Sequence, residues 1–143
     1  MGNKPFCLFL DDQRNPENAY LNLDSSASKI SLVKYSRVHE DDWVIARTYD
    51  HFVKSLKYFG LPDVVSFDHD LDDEHIKHYF MVTQETGVIE YGNLKVKTGK
   101  HCAEYLVKEW NKQAKPKQIK TFVHSANHWG QIEIKKILKE LNG

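Results

Sequence analysis

Four short stretches gather the groups that could do chemistry: Asp11-Asp12 with Arg14 close behind, Arg47-Thr48, Asp68-His69-Asp70, and His124-Ser125 followed by Asn127. If they converge, carboxylates brought to one point repel one another and raise one another's pKa unless a cation sits among them. A hard divalent ion, Mg²⁺ or Mn²⁺, answers that need. Asp11, Asp12 and Asp68 are its candidate ligands, with the choice between Asp68 and Asp70 left open. Such ions keep positions for water and a phosphate oxygen, so phosphate chemistry follows. Arg14 and Arg47 could pair bidentately with phosphate oxygens, and Thr48, Ser125 and Asn127 could bind the substrate beside them. A helix beginning near Asn127 to Gly130 would aim its free N–H groups at the same anion. His124, His69 and Asp70 are the candidate acid–base groups, since an imidazole near pKa 6.5 both accepts and gives a proton at neutral pH.

Each residue has a plainer reading. Asp favours the loop start after a strand, Arg14 could clamp an acidic loop, and Ser125 or Asn127 could cap a turn. Asp72, Asp73 and Glu74 read as a solvated loop. His39, His51, His75, His78, His101 and His128 read as structural, although His101 and His128 stand near helix starts.

The elements that must position these groups alternate. Phe6 to Leu10 is an unbroken apolar run of the kind that suits a strand covered on both faces. Trp43 to Ala46 predicts a second strand, and Asp50 an N-cap for a helix carrying Phe52, Val53, Leu56 and Phe59 up to the stop at Gly60-Leu61-Pro62. Val64 to Phe67 is the third strand and Ile119 to Val123 the fourth. Between them, Ala103, Leu106, Val107 and Trp110 keep helical spacing from Thr98-Gly99 to about Gln113. Ile134, Ile137, Leu138 and Leu141 do the same in the last helix. The polar stretch after Leu71 reads as irregular, with a hairpin over Val88 to Lys97 turning at Gly92-Asn93.

Strands alternating with helices argue for a mainly parallel α/β sheet of about four core strands. We expect one domain over residues 1–143, with insertions at about 13–42 and 72–97, the second a lid over the site. In such sheets ligands sit at the carboxyl ends of the strands. All four of those ends carry ionisable or hydrogen-bonding groups, whereas the opposite ends carry Lys4-Pro5, Asp41-Asp42, Pro62-Asp63 and Lys117-Gln118.

Composition sets limits on the alternatives. The 143 residues hold 20 Lys+Arg and 20 Asp+Glu, so the formal charge is zero, which weighs against a generally basic nucleic-acid binder. The balance hides a split: residues 1–94 have 16 acids against 9 bases, and residues 95–143 have 4 against 11. At 41% hydrophobic and 12% aromatic the chain is too rich in core-forming residues for disorder. Its two cysteines lie in apolar stretches, no charged segment with a following apolar run opens it, and no run approaches a membrane span. A cytoplasmic protein with no membrane contact is the expectation. The sequence does not speak to oligomeric state.

Taken together, Leu8-Phe9-Leu10-Asp11-Asp12-x-Arg14-x-Pro16, Trp43 to Thr48, Ser66-Phe67-Asp68-His69-Asp70-Leu71, Thr98-Gly99 and His124-Ser125-x-Asn127-x-x-Gly130 resemble the cyclic-phosphate-processing receiver domains of bacteria and their viruses. The resemblance runs from Phe6 to about Leu138. It implies a receiver-like, flavodoxin-like three-layer sandwich whose acidic pocket acts on a cyclic phosphate, such as a cyclic nucleotide or a 2′,3′-cyclic phosphate end. Signalling receivers also place a Lys after a fifth strand, and here the fourth strand's helix ends the sequence, so phosphoryl-acceptor switching is not implied.

The leading expectation is a metal-dependent phosphodiesterase acting on a small phosphorylated or cyclic nucleotide ligand. The alternative is a non-catalytic module that binds or sequesters such a ligand. A dehalogenase-type phosphatase reading of Asp68-His69-Asp70 is disfavoured, because that fold needs a downstream Lys and a later acidic pair and no Asp follows Asp73. A nucleic-acid partner for the lysines between Lys95 and Lys120 ranks lower, because lysine-rich solvated helix faces are common.

Overall fold

Consecutive apolar residues cannot all face one side of a strand, so the run beginning at Phe6 needs cover on both faces of its sheet. In the computed structural model, which describes residues 6–13, 43–85, 89–114, 118–125 and 127–142, this run forms β1 (Cys7–Leu10), buried throughout. It is joined by β2 (Trp43–Ala46), β3 (Val64–Phe67) and β4 (Lys120–Val123). All pairings are parallel, in the order β2-β1-β3-β4, with Leu10 opposite both Ala46 and Phe67, and Phe67 opposite Val123. This is the receiver-like α/β order that the motifs imply, and its topological switch point lies at β1, between β2 and β3.

Four α-helices accompany the sheet among the described residues: α1 (Tyr49–Phe59), α2 (Asp73–Glu85), α3 (Gly99–Asn111) and α4 (His128–Asn142). Leu8, Leu10, Val65 and Phe67 pack against Phe52 of α1, Leu106 of α3 and Ile134 of α4 in the larger core cluster. Cys7, Phe9, Val64 and Phe122 form a second cluster on the opposite face, with Trp43 and Ile45 against it. Fully burying a Leu or Phe side chain contributes about 2 kcal/mol, so the alternation along β1 fixes the register of every strand beside it.

The helix ends are set by local chemistry. Thr48 rather than Asp50 caps α1, its Oγ1 accepting the His51 N–H at 3.1 Å. Gly60 ends that helix at φ 88°, a conformation that side chains with a Cβ resist. Thr98 caps α3 in a capping box in which His101 replaces the usual Glu or Gln.

The stretch after Leu71 differs from the expectation. Residues 73–85 are helical, and the described part of the expected hairpin holds a 3₁₀ turn at Tyr91–Asn93 and no strand. The reason lies in where its backbone bonds go. Glu74 accepts the N–H groups of Lys95 and Val96, His78 Nε2 accepts that of Glu90, and His75 Nε2 donates to the Val96 carbonyl at 2.7 Å. Side chains of α2 thus engage the backbone that a hairpin partner would need. Asp72 and Asp73 are likewise the start of a helix and not a loop, Asp72 Oδ1 accepting the Glu74 N–H.

Cys7 and Cys102 are buried and free of disulfide bonds. No described helix is long and apolar enough to cross a membrane. Arg14 and nearly all of the first expected insertion lie outside the described residues.

Candidate functional site

The parallel ladder continues one residue beyond each strand. Asp11 N–H donates to the Ala46 carbonyl, Asp68 N–H to Leu10 and His124 N–H to Phe67, at 3.1, 3.0 and 2.9 Å. The register therefore sets Arg47, Asp11, Asp68 and His124 side by side in one row across β2, β1, β3 and β4. Because side chains alternate along a strand, the last three share the face of Phe9, Ser66 and Phe122 and lie opposite the larger core.

His124 shows how tightly this row is held. It is fully buried, its ring stacks on Phe9 at 4.5 Å, and Nδ1 meets Ser66 Oγ at 2.7 Å. Nε2 is thereby aimed at Asp11 Oδ2, 3.0 Å away. Asp11 is also fixed from its other side, with Oδ1 accepting the Gln13 N–H at 2.9 Å. Asp68 Oδ1 accepts the His69 N–H at 2.8 Å. Among the described residues, ligand atoms of Asp11, Asp68 and His124 lie within 4.8 Å of one another, so the group could hold a metal ion. Two carboxylate oxygens and one imidazole nitrogen suit a divalent cation, and Ser66 on the far ring nitrogen is the outer partner that a ligating histidine commonly has.

A second network stands beside the row. His69, also buried, has Nδ1 at 2.8 Å from Asp70 Oδ1 and Nε2 at 2.9 Å from the Tyr91 hydroxyl. Asn127 Nδ2 donates to the same Asp70 oxygen at 2.9 Å, while its Oδ1 accepts the Gly130 N–H and so caps α4. Ser125 Oγ accepts the Asn127 N–H, and the Ser125 carbonyl accepts from the Gln131 side-chain amide. Two glycines let the helices approach this closely. A Cβ at Gly99 would sit 1.8 Å from the Asp68 carbonyl oxygen, and one at Gly130 would sit 2.3 Å from His69 Cγ.

These groups border a cleft of about 300 Å³. Its lining joins the polar groups Asp11, Asp12, Gln13, Asp68, Asp70 and Asn127 to Ile76, Tyr79 and Phe80 of α2. Asp70 reaches the cleft with a side chain 15% exposed, whereas His69 and His124 lie behind the carboxylates and do not line it. Arg47 is tied to the row by its Nη1, which donates to the Asp11 carbonyl at 3.1 Å. Thr48 is exposed and serves as a helix cap, and Ser125 is buried beneath Asn127. Ser66 and Tyr91 were not legible as site residues, since one is internal to a strand and the other lies 22 residues from its partner. The wall of α2 did carry a signal in the i, i+3, i+4 spacing of Ile76, Tyr79 and Phe80.

A family model described as the cyclic-phosphate processing receiver domain matches residues 6–140. No curated protein and no solved structure matches the chain.

Proposed function

The chain belongs to the cyclic-phosphate-processing receiver domains, and from that premise we propose that its acidic cleft hydrolyses a cyclic phosphate with the help of a divalent cation. The observation that carries the reading is the row of Asp11, Asp68 and His124, whose ligand atoms gather within 4.8 Å at the carboxyl ends of three adjacent strands. These residues would hold the ion, with Asp12 beside them on the cleft. Two carboxylates beside one imidazole suit Mg²⁺ as well as Mn²⁺. Bound there, the ion supplies positive charge for a phosphoryl oxygen and lowers the pKa of water.

The chain's own groups supply the rest. Asp70 faces the cleft and takes the proton of the attacking water as its oxygen bonds to phosphorus, then returns a proton to the alkoxide oxygen released when the ring P–O bond breaks; His69, 2.8 Å behind it, steadies the charge change. Asn127 orients Asp70 and Arg47 braces the Asp11 backbone, while the His124 Nε2 that meets Asp11 here would give up that bond to the ion and keep Nδ1–H on Ser66. Ser125 acts through Asn127, and Thr48 through the start of α1. Arg14, which follows the Asp11-Asp12 pair in sequence, is assigned to the phosphate oxygens.

Incubation with 2′,3′- and 3′,5′-cyclic mononucleotides and Mn²⁺, followed by anion-exchange chromatography, tests this. A monoester product is expected from at least one substrate, with Asp11→Asn at least about a hundredfold slower, the scale of one lost acid–base or charge-stabilising group. The burial of both imidazoles behind the carboxylates favours a second reading, a pocket that captures the ligand without turnover. Stoichiometric recovery of unchanged, bound nucleotide would select that reading.

A further inference from the structure

The cleft lining is of two chemical kinds, and the proposed hydrolysis uses only one. Besides the carboxylates, the cleft is lined by Ile76, Tyr79 and Phe80, which share one face of α2 by their i, i+3, i+4 spacing. Phe80 is 61% exposed and Ile76 41%, unusual for large apolar side chains on a helix that is otherwise anchored through buried His75 and His78. The Tyr79 and Phe80 rings sit 5.8 Å apart at 55°, a tilted pair offering aromatic surface. Helix α2 is itself fixed, because Glu74, His75 and His78 tie it to the backbone of residues 90–96. The α2 residues at the cleft are thus held in place by bonds made outside it. Apolar walls with a few convergent polar groups are the usual make-up of small-ligand pockets, and about 300 Å³ is the small end of their range.

We propose that Ile76, Tyr79 and Phe80 form a nucleobase-binding wall, so that the ligand of this cleft is a base-bearing cyclic phosphate, with its phosphate on the carboxylate side and its base against Phe80. The proposal rests on the phosphate-directed reading of the acidic side given above. A base-free cyclic phosphate would leave the apolar wall in water, whereas a purine or pyrimidine covers it and gains stacking that does not depend on base identity.

The test is equilibrium binding, which does not require turnover. Calorimetry with Mg²⁺, at a temperature and duration for which chromatography of the cell contents finds the cyclic phosphate intact, compares adenosine 2′,3′-cyclic phosphate with methyl riboside 2′,3′-cyclic phosphate, which keeps the sugar and cyclic phosphate and lacks the base. Stacking predicts that the wild type binds the base-bearing ligand at least about fivefold more tightly, that Phe80→Ala removes this preference, and that Phe80→Trp keeps it. The exposed position of Phe80 leaves the fold of these variants intact. Equal affinity for the two ligands, a preference unchanged in Phe80→Ala, or failure to bind the nucleotide at all would overturn the proposal. A wild-type dimer that Phe80→Ala dissolves would do so too, by assigning the wall to a second copy of the chain. Hydrolysis is followed separately by chromatography: base-dependent binding without product contradicts the hydrolase reading alone.

Discussion

At the scale of single residues, the chain from Tyr91 through His69 to Asp70 determines which proton sits where. Burial first, and then the charges of Glu133, Asp70 and Glu104, push the Tyr91 phenol well above its ordinary pKa, so it remains protonated and donates to His69 Nε2. That leaves Nδ1–H to donate to the Asp70 carboxylate. Tyr91→Phe keeps the ring and strands a buried acceptor, which should cost about 1–3 kcal/mol in urea denaturation. The same change should lower kcat with little effect on KM, since Tyr91 does not line the cleft. Stability equal to wild type would show that the bond is not made. His69, Asp70 and Asn127 were legible as site residues because they follow strand ends and polar groups have little other reason to gather there. The burial of His69 was not legible, because it depends on Gly99 and Gly130 admitting two helices at close range.

At the scale of elements, α3 and α4 press their N-termini onto the turn after β3, and a methyl group is enough to prise them off. Gly130→Ala would place Cβ 2.3 Å from the His69 ring, so we expect a loss of about 1–3 kcal/mol together with most of the activity. Gly92→Ala, with nothing within 4 Å, should be neutral in the same denaturation series. The cap of α3 brings a pH dependence. His101 Nδ1 accepts the Thr98 N–H at 2.9 Å, and burial above all holds its pKa below the ordinary value. The folded state thus favours the neutral ring: its contribution is fully present above about pH 6.5 and is lost as pH falls through the lower folded pKa. His101→Gln keeps a capping acceptor and should flatten the acid side of the stability profile; an unchanged slope would remove His101 from that role. The strands were readable because β1 and β3 are short, mostly apolar runs that stop at an acid, Asp11 and Asp68. Helix α2 was not, because His75 and His78 count as polar in a periodicity and are here buried, bonded to backbone.

At the scale of the whole molecule, the split between an acidic first part and a basic last part has a local meaning on each side. Asp11, Asp12, Asp68 and Asp70 border one cleft. Several of the lysines have close partners: Lys97 lies over the Tyr49 ring at 4.3 Å, Lys100 lies over Tyr91 and pairs with Glu104, and Lys112 pairs with Glu109 at 2.7 Å. We therefore expect weak RNA or DNA binding, with log K falling against log salt no more steeply than about −2; a slope of several units would revive a nucleic-acid partner. The central claim is that a divalent cation in the row of Asp11, Asp68 and His124 lets this cleft open a cyclic phosphate. Its most direct test is ³¹P NMR of adenosine 2′,3′-cyclic phosphate with the purified protein, before and after EDTA in a Mg²⁺ buffer. Replacement of the cyclic resonance by a monoester resonance, halted by EDTA and absent with Asp11→Asn, is the predicted result. A cyclic resonance that persists unchanged with metal, or a conversion indifferent to EDTA and to Asp11→Asn, would contradict it.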